Sequence, residues 1–183
     1  TNSFPDNGWW EIQWGSKEEA QEAWSEWSQN EEAAALTDKY ASVLQCDESM
    51  INGFESVFPI ASAQYSELPD SGYFYSEVHI CELNDGSTQE EAISFLSGFT
   101  EAVSNADYSD TSYHLGNYFN TDGSGGFLWA NFTNSEESMD KANASFEANV
   151  RESMFPIFST FASCGEVPDL YHGFTLYNAE NKD

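Results

Sequence analysis

The hydrophobic and polar positions of the chain repeat one layout three times. Each copy has an aromatic-rich strand, a short polar turn, and a helix that opens with two glutamates. The predicted strands are 9–14, 73–83 and 127–132, and the glutamate pairs follow at 18–19, 90–91 and 136–137. Ser, Thr or Asn precedes each pair and can cap the helix, while the pair lies at the positive end of the helix dipole. The glutamate pairs are therefore interpreted as structural.

Apolar residues recur at helical spacing after each glutamate pair. In the second copy they run from Ala92 to Val103 and predict one amphipathic helix. In the first and third copies the apolar stripe is longer than one helix. The polar run 28–30 predicts a break in the first stripe, and Pro156 predicts a break in the third.

Closing strands are predicted at 52–58, 112–119 and 170–177, with a Gly-rich hairpin turn at 122–126. Strand–helix–strand units joined by hairpins predict an α+β fold, with a ferredoxin-like antiparallel sheet and helices on one face. We expect one domain over 1–183 with internal repeats at approximately 7–58, 73–119 and 126–178.

This order of elements, with its broken helices, resembles the dimeric α+β-barrel superfamily, which includes antibiotic-biosynthesis monooxygenase-like and stress-responsive barrel proteins. The resemblance implies that two sheets can close face to face into a barrel, between subunits or within one chain. It also implies a range of activities, because members include cofactor-free oxygenases, isomerases and haem-handling proteins. None of their functional residues matches a motif in this sequence, so no function is carried over.

The charge of the chain excludes several partners. The sequence has 32 acidic and five basic residues, a net charge of −27. Phosphate groups would be repelled, so neither nucleic acid nor an anionic membrane is an expected partner. Two interpretations stay open: adaptation to a saline, marine or halophilic setting, or a surface that collects cations or a basic partner.

The expected location is outside the cytoplasm. The chain begins at Thr1 without an initiator Met and has no apolar stretch long enough to span a membrane. Both features are expected of a secreted or periplasmic protein whose signal peptide has been removed, although a trimmed chain would look the same. In an oxidising compartment two of Cys46, Cys81 and Cys164 can form a disulfide, and the sequence leaves all three pairings open.

The candidate pocket is centred on a polar line in the second predicted strand. Glu77, His79 and Cys81 alternate along one face of that strand. If the three histidines faced one cavity, they could act as acid–base groups or hold a metal, but their spacing has no metal signature. The competing interpretation is that these are ordinary residues of a sheet. The predicted pocket residues are Glu77, His79, Cys81, His114, Tyr118, Trp129 and His172.

A second candidate site is the aromatic surface formed by Trp9 and Trp10. If 9–14 is a strand, these side chains point to opposite faces, and one of them lies outside the core. That side chain would contact a ligand or an associating protein.

The sequence favours a non-enzymatic exported domain that binds a small apolar or aromatic ligand or self-associates as a homo-oligomer. No metal and no cofactor are predicted. One alternative is a cofactor-independent oxygenase or isomerase with His79 or His114 as the acid–base group and Tyr118 or Trp129 lining the cavity. Another is a structural protein that forms surface assemblies.

Overall fold

The computed structural model describes residues 8–43, 51–61 and 64–176. Contacts between Cα atoms divide the chain into two compact units, with the boundary between Ile51 and Asn52. The two units are described separately. The assignment of 1–183 to one repeated domain stays a prediction.

The described part of the first unit contains two helices, α1 (Lys17–Ser28) and α2 (Glu31–Tyr40). The Ser16 side chain caps α1 by accepting a hydrogen bond from the Glu19 amide, and Asn30 caps α2 by accepting from the Glu32 and Ala33 amides. The predicted break at 28–30 is therefore confirmed. Cys46 lies outside the described residues.

The prediction of a strand at 9–14 is wrong. Residues 8–14 form no ladder with another described strand, and all of them are exposed. A strand is stable only when a neighbour satisfies its backbone groups, and aromatic composition does not supply that neighbour. Because the strand is absent, the alternation argument for Trp9 and Trp10 fails. Both side chains are exposed, at 66% and 64%.

The second unit contains six strands and three helices in its described residues. The strands are β1 (Phe54–Ile60), β2 (Tyr73–Leu83), β3 (His114–Asn120), β4 (Gly126–Thr133), β5 (Ala162–Cys164) and β6 (Asp169–Phe174). The helices are α3 (Gln89–Ser104), α4 (Glu136–Asn149) and α5 (Arg151–Phe161). This composition confirms the α+β fold class.

The strands form one antiparallel sheet in the order β1-β3-β4-β2, with β5 and β6 both paired to the far edge of β2. Strands β2 and β3 are joined through α3 and have β4 between them, and the β3–β4 hairpin lies at the predicted place. This arrangement is the split β-α-β pattern of ferredoxin-like folds. Among the described strands the sheet stays open and does not close into a barrel.

The helices cover one face of this sheet. Leu96, Phe99 and Val103 of α3 are buried in one apolar cluster with Leu115 of β3 and Met154 of α5. A second cluster joins α3, β2, β3, β4 and α5 through Ala92, Cys81, Phe119, Phe127 and Phe161. Phe95 and Trp129 pack against both clusters and make the two into one continuous core.

The break in the third predicted stripe lies at Val150 and not at Pro156. Helix α4 ends at Asn149, and Pro156 lies inside α5. The proline ring removes the amide that would bond to the Glu152 carbonyl. Residues 152, 155 and 156 are exposed, so water can satisfy that carbonyl and the helix continues through the proline.

A disulfide joins Cys81 of β2 to Cys164 of β5. The two residues are register partners in the sheet, with their Cα atoms 4.0 Å apart, and they are 83 residues apart in the chain. This is one of the three pairings that the sequence left open. It fixes the short strand β5 to β2, the strand with which β4, β5 and β6 all pair.

We expect this disulfide to stabilise the second unit. Closing a loop of this length restricts the unfolded chain enough to contribute about 4.5 kcal/mol at most. The double variant Cys81→Ala/Cys164→Ala should therefore lower the free energy of unfolding by about 3–4 kcal/mol in a urea titration. Adding a thiol reductant should destabilise the wild-type protein similarly and should not change the double variant further. An unfolding midpoint of the wild type that does not respond to reductant would contradict the pairing.

Candidate functional site

The predicted polar line lies on the helix-covered face of β2. Tyr73, Tyr75, Glu77, His79 and Cys81 alternate along this face, and the register places Trp129 opposite His79 on β4 and His172 opposite Tyr75 on β6. Residues opposite one another in an antiparallel pair point to the same face. Five of the seven predicted pocket residues therefore share this face: Glu77, His79, Cys81, Trp129 and His172.

The polar groups of this line bond to neighbouring elements. Glu77 Oε2 accepts a hydrogen bond of 3.0 Å from Asn143 Nδ2 of α4. His79 Nδ1 is 3.4 Å from the backbone oxygen of Gly165, in the turn between β5 and β6. Cys81 is in the disulfide, so it has no thiol to act as a nucleophile. Each of the three groups thus holds β2 against another part of the unit.

His172 forms an aromatic contact group at the end of the line. Tyr73 Oη is 2.7 Å from His172 Nδ1, and the ring of Tyr75 packs edge-on against the imidazole at 5.5 Å. Burial raises the pKa of Tyr75, and the nearby carboxylates of Glu77, Glu136 and Asp140 raise it further. The Tyr75 hydroxyl therefore stays protonated at neutral pH and can act only as a hydrogen-bonding group.

Asn131 organises a polar junction beside Glu77. Its Oδ1 accepts hydrogen bonds from Tyr113 Oη at 2.8 Å and from Trp129 Nε1 at 3.1 Å. Burial raises the pKa of Tyr113 well above its usual value, so this hydroxyl is a permanent donor. Sequence reasoning missed this junction. The sequence signal for this junction was a lone asparagine between aromatic residues in β4, because a polar side chain in such surroundings needs hydrogen-bond partners.

His114 and Tyr118 lie on the opposite face of the sheet. The register pairs His114 with Phe132 and Tyr118 with Leu128, and Phe132 and Leu128 belong to a cluster made of strand residues alone. The sheet therefore separates these two residues from the other five. The predicted pocket residues are not brought together around one cavity.

This opposite face, called here the aromatic face, is covered by its own rings. The members of the aromatic face that are apolar or carry rings are Phe54, Phe58, Phe74, Val78, Ile80, His114, Tyr118, Leu128, Ala130 and Phe132. The register places Ser76, Glu82 and Asp169 on the same face. Phe74 lies over Gly173, and the rings of Phe58, Tyr118 and Phe132 lie over Gly116. A Cβ at Gly116 would come within 2.9 Å of Phe58 and Tyr118, so this position must be glycine for the rings to lie flat.

His114 is a half-buried, neutral histidine within the aromatic face. Its ring stacks on Phe132 with centroids 4.5 Å apart, and its Nδ1 has no hydrogen-bond partner among the described residues. Burial lowers the pKa of His114 to about 4, against a smaller opposing effect of the Ser112 backbone. An acid–base role near neutral pH would need a histidine that exchanges protons there.

Two surface clefts, of about 480 and 340 Å³, lie elsewhere in the second unit. The first is between α3 and α5 and is lined by Phe95 and Ile157 among others. The second is beside Arg151 and Phe155 of α5. Neither is lined by a predicted pocket residue. Among the described residues, no group of three or more His, Cys, Asp or Glu side chains could hold a metal ion, and no helix could cross a membrane.

Comparison of the chain with protein-family models, with curated proteins and with solved structures gave no match. The class of protein is therefore defined by its own architecture, a ferredoxin-like α+β fold with one face covered by helices and one face of aromatic rings.

We expect His114 to make the protein less stable in acid. Its pKa is about 4 in the folded protein and about 6.5 in the unfolded chain, so the unfolded chain binds more protons between these values. The contribution of His114 to the free energy of unfolding is therefore fully present above pH 6.5. It declines by about 3 kcal/mol as the pH falls through this window to about 4.

The variant His114→Phe should remove this part of the pH dependence in urea titrations, measured as a difference from the wild type. His79→Phe, on the other face, controls for the loss of one imidazole. An equal change of slope in both variants, or a His114 ring that titrates near pH 6.5 in NMR spectra, would contradict the assignment.

Proposed function

We propose that this protein self-associates through the aromatic face of its second unit, as a non-enzymatic assembly domain. The observation that carries the proposal is the composition of this face. The chain has 32 acidic residues, yet the strand register places only two of them, Glu82 and Asp169, on the aromatic face. Aromatic enrichment with depletion of charge is the composition found at the centres of protein interfaces.

Part of the aromatic face remains accessible. Ile80 is 61% exposed, Phe58 is 40% exposed and Phe54 is 36% exposed. They are the contacts available for association, and the rings of Phe132 and Phe74, which pack over Gly116 and Gly173, belong to the same face. Burying a large apolar side chain contributes about 1.5–3 kcal/mol, so a few such contacts repeated on both partners suffice for a dimer.

A second copy is the partner that fits this face best. A sheet is broad and gently twisted, and a twofold axis would place two faces with few charges against one another while most of the carboxylates stay in water. The resemblance to the dimeric α+β barrels implies the same pairing, and the open sheet leaves it possible. A small apolar ligand is supported less well, because neither surface cleft lies on this face.

Electrostatics make this association dependent on salt. Two copies with a net charge of −27 each repel one another at low ionic strength. At about 0.15 M salt, screening reduces the range of repulsion to roughly 8 Å, and the apolar contacts can then dominate. The domain would thus assemble in a saline medium, in line with the proposed export. The Cys81–Cys164 disulfide also supports work in an oxidising compartment.

The alternative of a cofactor-independent oxygenase or isomerase gains no specific support. His79 contacts a backbone oxygen, and His114 is neutral and stacked on Phe132.

We expect the wild-type protein to convert from monomer to dimer as NaCl is raised from about 0.05 to 1 M, measured by sedimentation velocity. Phe58→Asp and Ile80→Asp each place a further carboxylate in the proposed interface and should keep the protein monomeric throughout. Phe155→Asp is the matched control, because Phe155 is similarly exposed, at 48%, but lies on α5.

A wild type that stays monomeric at every salt concentration would refute self-association, as would loss of the dimer in the Phe155→Asp control. Native mass spectrometry of the same samples separates the ligand alternative. A monomer with a bound small molecule, lost in Ile80→Asp, would favour ligand binding over self-association.

A further inference from the structure

Helix α1 presents tryptophans at the spacing of a docking helix. Ala20, Ala23, Trp24 and Trp27 occupy positions i, i+3, i+4 and i+7, and this pattern forms one continuous face. Trp24 is 45% exposed and Trp27 is 50% exposed. Helices that bind in grooves of other proteins use the same four positions as anchors.

The described residues of the first unit do not bury these side chains. Among its described residues only Ala33 is buried, and α1 and α2 are 12 and 10 residues long. Helices of this length are marginal in water unless an apolar face is packed against something. Five of the six tryptophans of the chain are in this unit, at positions 9, 10, 14, 24 and 27. Each of them is at least 43% exposed.

The charges around the tryptophan face determine what can cover it. The charged residues of α1 are four glutamates and Lys17. By helical geometry Glu19 and Glu26 border one side of the face, and Glu18 and Glu22 lie behind it. In the whole described part of the first unit there are eight acidic residues and two basic ones, Lys17 and Lys39. A complementary surface must therefore be apolar with a basic rim.

We propose that α1 is a docking helix for a protein partner whose apolar surface is edged by Lys and Arg, such as a basic amphipathic helix. Trp24 and Trp27 insert as anchors, and Glu19 and Glu26 face the basic rim. A second copy of this chain lacks that rim, since five basic residues are spread over 183 positions. This surface is separate from the aromatic face, and it takes a different partner.

The salt dependence separates this docking from self-association. Opposite charges attract across the α1 contact, so added salt weakens it. Like charges repel across two aromatic faces, so added salt strengthens that contact. One proposal can therefore fail without the other.

The test uses the full chain and a synthetic peptide of about 20 residues, made of Leu and Lys so that it folds as a basic amphipathic helix. A peptide of the same composition in scrambled order controls for charge alone. Calorimetry and tryptophan emission are measured in about 0.05 M NaCl, where self-association is suppressed. We expect the amphipathic peptide to bind, to shift the emission to shorter wavelength, and to bind more weakly at about 0.5 M NaCl.

Trp24→Ser and Trp27→Ser should each weaken binding by about tenfold or more, the loss typical of aromatic anchors. Leu36→Ser is the matched control, because Leu36 is 49% exposed on α2, and this variant should bind like the wild type. Equal binding of the scrambled peptide, or unchanged affinity in both tryptophan variants, would reduce the interaction to charge attraction and overturn the proposal. It would also be overturned if the peptide left the emission unchanged, because the tryptophans would then already be covered.

Discussion

The pairing of β2 with its neighbours is the interaction on which the second unit depends. This strand bonds to β4 along one edge and to β6 and β5 in succession along the other, and the disulfide adds a covalent link to β5. The register of these pairs also determines which side chains can meet. A shift by one residue would exchange the two faces of β2 and move Glu77 and His79 away from α4 and the Gly165 turn.

The two faces of the sheet therefore differ in the contacts that their side chains make. On the helix-covered face, Tyr113 donates a hydrogen bond to Asn131, and Asn143 of α4 donates one to Glu77. On the aromatic face, rings cover the backbone at Gly116 and the imidazole of His114 is kept neutral by burial. The first face holds the unit together, and the second is an aromatic surface on which the register places only two carboxylates, Glu82 and Asp169.

Much of the fold could be predicted from the sequence, because its signals are local. The capping box of Thr88 and Glu91 begins α3 where the pattern placed it, and the hairpin between β3 and β4 follows from its glycines. Local signals could not show that the strand predicted at 9–14 does not form. Its residues have high β-propensity, but strand formation depends on a partner that no local pattern reveals.

The site was less predictable than the fold, because it depends on register between distant strands. Alternation alone correctly grouped Glu77, His79 and Cys81 on one face of β2. It could not show that Trp129 joins them while His114 and Tyr118 do not, since that requires the offsets between β2, β4 and β3. The prediction of a helix break at Pro156 failed for a related reason. Its cost depends on whether water reaches the Glu152 carbonyl, which is a property of the folded surface.

The acidic charge offsets the tendency of the exposed aromatic side chains to cause aggregation. A chain that leaves five tryptophans at least 43% exposed would ordinarily be prone to aggregation. A net charge of −27 opposes such contacts, because every copy repels every other copy over roughly a Debye length. Each of the two proposed contacts would reduce this repulsion, one through a partner of opposite charge and the other through a face with few charges in salt. The net charge would thus limit which partners can contact the two apolar surfaces, and it would keep copies of the protein apart at low salt.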